Sequence, residues 1–269
     1  FKIIYSLKKR PQKNPIIIHY YNLELLKKDS EYDKNFLKLY KKFSPGPLTY
    51  ILKKKKKSKV SKFANAKLKT IAVRFPKNKI IRSLLKKLTF PLAIPSANIS
   101  TGVSPTEPLD VVDEFKNKIK FILNGGKSLI GLESTVINLS SKPAILRPGS
   151  ISHTQIEKVL GKKVSNVTKS KFVISPGMHK RHYSPGIPIK LNSIKPDYKA
   201  AFIVFGKKYK MNKNMFNLSK NNNLKEAAKN LYKILRKIKK LKYKKINVVK
   251  IPNKNIGIAI NDRLKKASK

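Results

Sequence analysis

The 269-residue chain contains no cysteine, which excludes disulfides, zinc ribbons and thiol nucleophiles outright. That usage fits a cytoplasmic protein. Acidic residues are few, 13 against 63 lysines and arginines, for a formal charge of +50. No apolar run approaches the roughly 18 residues needed to cross a bilayer, and the longest candidates, 16–18 and 200–205, are strand-sized, so no membrane role is expected. A phosphate-binding G-x-x-x-x-G-K-S loop is also missing. Asn124-Gly125-Gly126-Lys127-Ser128 comes near it, but the first glycine would fall on Phe121. No internal repeat and no Ser-His-Asp or Cys-His set is evident. The sequence opens on Phe1 without an initiator Met and reads as a fragment lacking its native N-terminus, so any targeting peptide lies beyond it.

Length and an apolar content of 40% suit one large or two medium globular domains. The charge has two readings. A polyanion partner would be met by salt-dependent phosphate neutralisation. An even lysine coating from lineage composition accounts for the bulk of it, because the lysines are spread along the whole chain, with proximity to nucleic acid a lesser contributor. Against 56 lysines there are only seven arginines. A planar guanidinium grips a carboxylate or phosphate with two parallel bonds, which an ammonium cannot do. Arginine retained in such a composition therefore signals geometry as well as charge. Arg10, Arg74 and Arg147 each sit in a short Pro-containing motif.

Apolar strand-like runs alternate with helical ones, which indicates an α/β domain. Strands are expected over 16–20, 48–52, 70–74 and 92–95, with helices over 33–42 and 78–88. A helix opens at Pro108, Phe121-Ile122-Leu123 reads as a buried strand ending at Gly125-Gly126, and 136–139 with 144–146 are spaced as a hairpin. Between 164 and 188 the pattern breaks into a proline-rich linker holding two of the four histidines. A strand over 201–205, a helix over 224–238, a strand over 246–249 and a helix over 257–267 then suggest a small Rossmann-like unit. The expected domains are 1–163 (catalytic), 164–188 (linker or lid) and 189–269.

Taken singly, the polar motifs are ambiguous. Ser44-Pro45-Gly46-Pro47 is sufficiently explained as a turn. Ser96, Asn98 and Ser100 follow a strand's carboxyl end, where α/β sheets place ligands, yet Ser96 also fits an N-cap or an Asx-turn with Asn98. Glu133-Ser134-Thr135 is a common strand start, and His19 in an apolar strand is by itself more often a satisfied core residue than a ligand.

Read in order they are specific. Lys8-x-Arg10-Pro11-x-x-Asn14-Pro15-(x)3-His19, Pro45-Gly46-Pro47-Leu48-Thr49, Thr70-x-Ala72-Val73-Arg74-x-Pro76, Pro95-Ser96-Ala97-Asn98-x-Ser100, Ser104-Pro105-Thr106, the Gly-Gly turn, Glu133-Ser134-Thr135-Val136 and Leu146-Arg147-Pro148-Gly149 together resemble the threonylcarbamoyl-AMP synthase (YrdC-like) family. Ser175-Pro176-Gly177-Met178, His182-Tyr183-Ser184-Pro185 and Gly257-Ile258-Ala259-Ile260-Asn261-Asp262-Arg263-Leu264 resemble its longer, two-domain members. The resemblance implies a YrdC-like twisted mixed sheet with helices, plus a smaller Rossmann-like α/β domain. It also implies a nucleotidyltransferase that joins L-threonine, bicarbonate and ATP into threonylcarbamoyl-AMP and pyrophosphate, with Mg²⁺ accompanying ATP. The product would supply the N6-threonylcarbamoyl group of adenosine 37 in tRNA. Partners would be tRNA or the downstream threonylcarbamoyl-transferase complex.

Carried over by motif, Lys8, Arg10, Asn14, Thr70, Asn98, Ser104, Thr106 and Arg147 would contact ATP, and Tyr183 would close over the nucleotide. His19, Arg74, Ser96 and Ser134 would line the threonine pocket. No catalytic group beyond these binding residues and no protein metal ligand is assigned. The chemistry suits the set, because attack of a carbamate oxygen on the α-phosphorus needs positioning and charge neutralisation more than a nucleophilic side chain. Lys9, Ser44 and Asn124 depart from the family pattern, touching packing and turns. The family's first strand and its Thr-Glu-Thr-Val-Tyr-Gly-Leu loop would precede Phe1. The alternative is a non-catalytic module for double-stranded RNA or tRNA, which would need the lysines but not Ser96, Asn98, Ser134 and Arg147 together. A carbamoyl-transfer domain of a hydrogenase-maturation protein is disfavoured, since its acylphosphatase and zinc modules are missing.

Overall fold

The computed structural model describes residues 1–166, 182–197 and 199–269. Their contacts separate the chain into two units, Phe1–Pro95 with Glu133–His179, and Ser96–Leu132 with Lys180–Lys269. The second unit thus takes a segment from the middle of the chain. Of the expected linker or lid at 164–188, residues 167–181 lie outside the described residues.

The first unit runs α1 (Lys2–Leu7), β1 (Ile17–His19), α2 (Leu23–Lys27), β2 (Ser30–Glu31), α3 (Lys34–Phe43), β3 (Leu48–Lys54), β4 (Thr70–Arg74), α4 (Lys79–Lys86) and β5 (Leu92–Ala93). After the excursion into the other unit come β6 (Thr135–Asn138), β7 (Ala144–Arg147), α6 (His153–Leu160) and β8 (Ser165–Asn166). The strands form one mixed sheet in the order β5-β1-β4-β3-β6-β7-β8, with β2 paired to β3. Period-2 alternation divides this sheet cleanly. Ile18, Tyr20, Tyr50, Leu52, Val73 and Ile137 turn to one face and pack with Leu26, Phe36, Leu39, Ile156 and Leu160 of the helices. Ile17, Ala72, Ile51, Val136 and Leu146 form a smaller apolar strip. Helices α2, α3, α4 and α6 start where side chains satisfy orphan amides. Asp33 accepts from Phe36 N at 2.9 Å, Asn78 caps α4, and Ser152 with Gln155 forms a capping box on α6.

The second unit contains α5 (Pro108–Phe115), a short 3₁₀ turn (Lys116–Lys118), β9 (Ile189–Lys190), β10 (Ala201–Val204), β11 (Met215–Asn217), α7 (Leu224–Lys240), β12 (Ile246–Val248) and α8 (Gly257–Ala267). The four strands are all parallel, in the order β11-β10-β12-β9. Fully buried strands of this kind read as continuous apolar runs, as 201–204 does. Helix α7 buries Ala227, Ala228, Leu231, Tyr232, Leu235 and Ile238 at helical spacing.

The expected strand at Phe121-Ile122-Leu123 is not formed. The segment is irregular, with Phe121 89% and Leu123 67% exposed. A buried strand requires ladder partners, and none of the sheet pairings among the described residues includes these three. Asn124 instead closes a local turn, its Oδ1 accepting from Gly126 N at 3.0 Å.

Phe36 is completely buried and meets Tyr50 edge-on with ring centroids 4.9 Å apart. Phe36→Ala is expected to lower the unfolding free energy by about 3–5 kcal/mol. Urea melts of the two proteins check this, and a loss under about 1 kcal/mol would mean that the aromatic cluster does not carry the helix-covered core.

Candidate functional site

Strand register builds a polar row at one end of the first unit's sheet. His19 is level with Arg74, Arg74 with Thr49, Thr49 with Val136, and Val136 with Arg147. The row therefore runs over the carboxyl ends of β1, β4 and β7 and the amino ends of β3 and β6, above the strip of Ile17, Ala72, Ile51 and Val136. Ser134 completes it from just before β6. Four of the thirteen predicted site residues, His19, Arg74, Ser134 and Arg147, are thus gathered by the fold although 128 positions separate the first from the last.

Arg147 is nearly fully buried and donates through Nε to the Ser134 carbonyl and through Nη2 to Ser134 Oγ, both at 3.0 Å. Ser134 Oγ lies 2.7 Å from Thr49 Oγ1, with either hydroxyl able to donate. A hydroxyl that accepts from a guanidinium at 3.0 Å is held in one orientation. Gly149 makes the approach possible, since a Cβ there would stand 2.3 Å from Thr135 N.

Arg74 is the accessible member of the row. It is half-buried, its Nε donates to the Gly46 carbonyl at 3.2 Å, and no carboxylate among the described residues pairs with it. Burial, and then the charge of Arg147, pull its pKa down to about 10, so it stays cationic at pH 7. Two guanidiniums close enough to perturb each other make an anion favourable beside Arg74. Gly46 is required where it stands, because a Cβ would meet Phe43 O at 2.2 Å, and its amide donates to the Phe75 carbonyl at 2.8 Å. The Ser-Pro-Gly-Pro turn therefore sets the carbonyl that orients Arg74.

His19 is buried, with Nδ1 3.2 Å from the Ile17 carbonyl. Burial first, and the neighbouring Arg74 charge second, hold its pKa down at about 3. The imidazole is neutral at physiological pH and adds no third cation to the row.

Of the residues expected at the nucleotide, Arg147 stands in the row itself, while Lys8, Arg10, Asn14 and Thr70 lie toward the other end of the same strands. Thr70 shares the face of Ala72 and Arg74 and sits four residues from Arg74, about 13 Å along the strand. The register Ile17↔Ala72 brings the segment before β1 level with Thr70. There Arg10 donates to the carbonyls of Asn14 at 3.2 Å and Pro15 at 2.6 Å, Lys8 is buried, and Asn14 Oδ1 is buried without a hydrogen-bond partner among the described residues. Arg10 therefore clamps the loop, leaving the Asn14 amide oxygen as an unmet acceptor.

Ser96, Asn98, Ser104, Thr106 and Tyr183 belong to the second unit. Ser96 is exposed, and Asn98 Nδ2 donates to the carbonyls of Ile99 at 2.7 Å and Gly102 at 3.1 Å, which folds the loop on itself. Thr106 donates through N and Oγ1 to Asp110 Oδ2 at 2.7 and 3.1 Å. The Tyr183 ring is buried, stacked on Tyr232 at 5.8 Å with the Arg263 guanidinium 4.9 Å from its centroid. Closing over a nucleotide would require it to leave that stack. Sequence reasoning did not single out Thr49, although it is the last residue of the Pro-Gly-Pro-Leu-Thr motif.

The fold and row define a mixed-sheet α/β protein that sets a half-buried guanidinium level with buried hydroxyls. The comparisons agree. A family model described as Telomere recombination (Sua5, YciO and YrdC) matches residues 1–149, and one described as Threonylcarbamoyl-AMP synthase, C-terminal domain, matches 151–269. Threonylcarbamoyl-AMP synthase from Pyrococcus abyssi is 35% identical, the alignment covering 99% of this chain and 84% of the relative. The Bacillus subtilis enzyme of that name is 31% identical over 99% and 83%. The crystal structure of P. abyssi Sua5 complexed with L-threonine superposes with a TM-score of 0.89 at 33% identity, covering 99% of this chain and 84% of that one. The chain belongs to the threonylcarbamoyl-AMP synthase family. Among the described residues no helix is long and apolar enough to cross a membrane.

The low His19 pKa has a measurable consequence. Below its ordinary pKa of 6.5 the unfolded chain takes up a proton that the native imidazole refuses until about pH 3, so acid favours unfolding across that window. Between pH 7 and 5 this one group should remove on the order of 2 kcal/mol of stability. His19→Gln should flatten the slope by that amount in urea melts at the two pH values, and parallel slopes would contradict a neutral buried imidazole.

Proposed function

We propose that this protein is an L-threonylcarbamoyladenylate synthase, a nucleotidyltransferase that uses ATP, L-threonine and bicarbonate and releases pyrophosphate. The observation that carries the reading is Arg74, a half-buried guanidinium oriented by Gly46, without a carboxylate partner among the described residues, and level with Thr49 and His19. In this reading Arg74 receives the threonine carboxylate through paired bonds, and the Ser134–Thr49 hydroxyls and the His19 ring bound the amino-acid side. Ser96, the remaining residue proposed for threonine, lies in the second unit.

Of the residues proposed for ATP, Lys8, Arg10, Asn14, Thr70 and Arg147 lie in the first unit and Asn98, Ser104 and Thr106 in the second. Tyr183 would close over the nucleotide from the linker. The carbamate of threonine, formed with bicarbonate, presents an oxygen to the α-phosphorus. The P–O bond to pyrophosphate breaks as the new P–O bond forms, so the protein's task is alignment and charge neutralisation. Among the described residues no group of three His, Asp or Glu is arranged to hold a metal. Mg²⁺ would accompany the triphosphate and help neutralise it. The product would pass to the enzymes that modify adenosine 37 of tRNA, and the lysine coating would favour encounter with tRNA. A plain RNA-binding surface gives no reason to bury Thr49, Ser134 and Arg147 together.

Full-length protein incubated with ATP, L-threonine and ¹³C-bicarbonate should yield labelled threonylcarbamoyl-AMP and pyrophosphate in equal amounts by mass spectrometry. Arg74→Lys should raise KM for threonine about 10- to 150-fold, the equivalent of roughly 1.5–3 kcal/mol for a lost charge-assisted contact, with the ATP KM little changed. Pyrophosphate release that is indifferent to threonine and bicarbonate would refute the assignment.

A further inference from the structure

Arginine is scarce in this chain, and Arg236 on α7 lies in none of the motifs assigned so far. Its side chain is 11% exposed, which in a lysine-rich helix is a costly position unless its fork is met. The fork is met by the segment that leads into α5. Nη2 donates to the Val103 carbonyl at 2.6 Å and to Glu114 Oε2 at 3.1 Å, Nε points to the Ser104 carbonyl at 3.4 Å, and Asp110 Oδ1 is 3.9 Å away.

Each of those two carboxylates has its other oxygen on the same segment. Glu114 Oε1 accepts from Ile99 N at 2.9 Å. Asp110 Oδ2 accepts from Thr106 N at 2.7 Å, Thr106 Oγ1 at 3.1 Å and Glu107 N at 3.3 Å. One guanidinium therefore bridges two carboxylates, and the carboxylates bridge to both ends of the stretch from 98 to 106. Its own N–H groups take the carbonyls in the middle. Asn98, Ser104 and Thr106, the residues read as nucleotide contacts in this unit, all lie within that stretch. All partners belong to one unit.

We infer that Arg236 is a positioning residue for the nucleotide, by which the C-terminal domain holds the 98–106 segment in its ATP-binding shape. The inference rests on the functional reading above, in that it takes this segment to contact ATP. Lysine cannot substitute, because an ammonium can neutralise one carboxylate but cannot also span two carbonyls in a plane. Removing the guanidinium leaves Asp110 and Glu114 facing each other and frees the Val103 and Ser104 carbonyls.

The test uses the full-length protein with Arg236→Lys, Arg236→Met and Glu114→Gln, the last keeping a carbonyl oxygen for Ile99 N. Two readings are taken, KM for ATP and for threonine, and amide hydrogen exchange at Ile99 and Thr106. Arg236→Lys should remain folded, raise the ATP KM about tenfold with the threonine KM within twofold of wild type, and speed exchange at those two amides. Arg236→Met should move both readings further in the same direction, and Glu114→Gln should speed exchange at Ile99 more than at Thr106. An Arg236→Lys protein with wild-type ATP KM, or with both KM values raised alike, would overturn the inference, as would unchanged exchange at Ile99 and Thr106. A wild-type protein that consumes no ATP would defeat the functional reading itself, and exchange at the two amides would then decide whether Arg236 holds the segment at all.

Discussion

A guanidinium can leave water almost completely only when its donors are met, and the site end of the first sheet is organised around that demand at Arg147. Two of its donors go to a single residue, Ser134, once to the carbonyl and once to the hydroxyl. That pairing needs β6 and β7 adjacent in the observed register, and it needs Gly149 to bring the chain against Thr135 without a clash. The Ser134 hydroxyl, fixed from one side, is then in hydrogen-bond reach of Thr49, which register places level with Arg74. Arg147 thus acts on the row through its neighbours, while Arg74 presents the open charge.

The same logic recurs in the second unit with the carboxylates as intermediaries. Arg236 meets Asp110 and Glu114, which meet backbone amides, so the loop's shape depends on a charge located well over a hundred positions further along the chain. In both units a buried arginine converts a loop into a surface of defined geometry, and most described lysines, though not Lys8, are left to the solvent faces. Pairs of this kind are weak evidence for net stability, since a buried ion pair offsets its own desolvation only with full hydrogen bonding. Their value here is orientation.

Much of this was legible in the sequence. The alternation of apolar strand-like runs with helical ones gave β1, β3, β4, β6, β7, β10, β12 and the helices α3, α4, α5, α7 and α8 in their places. Two of the three arginine motifs, scarce against lysine, hold Arg74 and Arg147, which the sheet register sets in one row. Four things were not legible. Phe121-Ile122-Leu123 has the apolar composition of a buried strand, but a strand is defined by its neighbours, and composition cannot reveal that none pairs with it. Helix α6 was overlooked although Ser152 and Gln155 carry the capping-box spacing. Thr49 has an ordinary strand residue's identity, and only cross-strand register shows that it joins Arg74 to Ser134. The assignment of 96–132 to the second unit was equally hidden, because the carboxylates of α5 and the guanidinium of α7 are meaningful only as partners.

The central claim is that the carboxylate of L-threonine seats on the Arg74 guanidinium with the amino acid lying against Ser134 and Thr49. A crystal structure of this protein grown with L-threonine tests it most directly. The account predicts paired N–H···O contacts of about 2.7–2.9 Å between Arg74 and the carboxylate, with the Arg147–Ser134 bonds unchanged. Threonine bound elsewhere, or bound with its carboxylate turned away from Arg74, would contradict it.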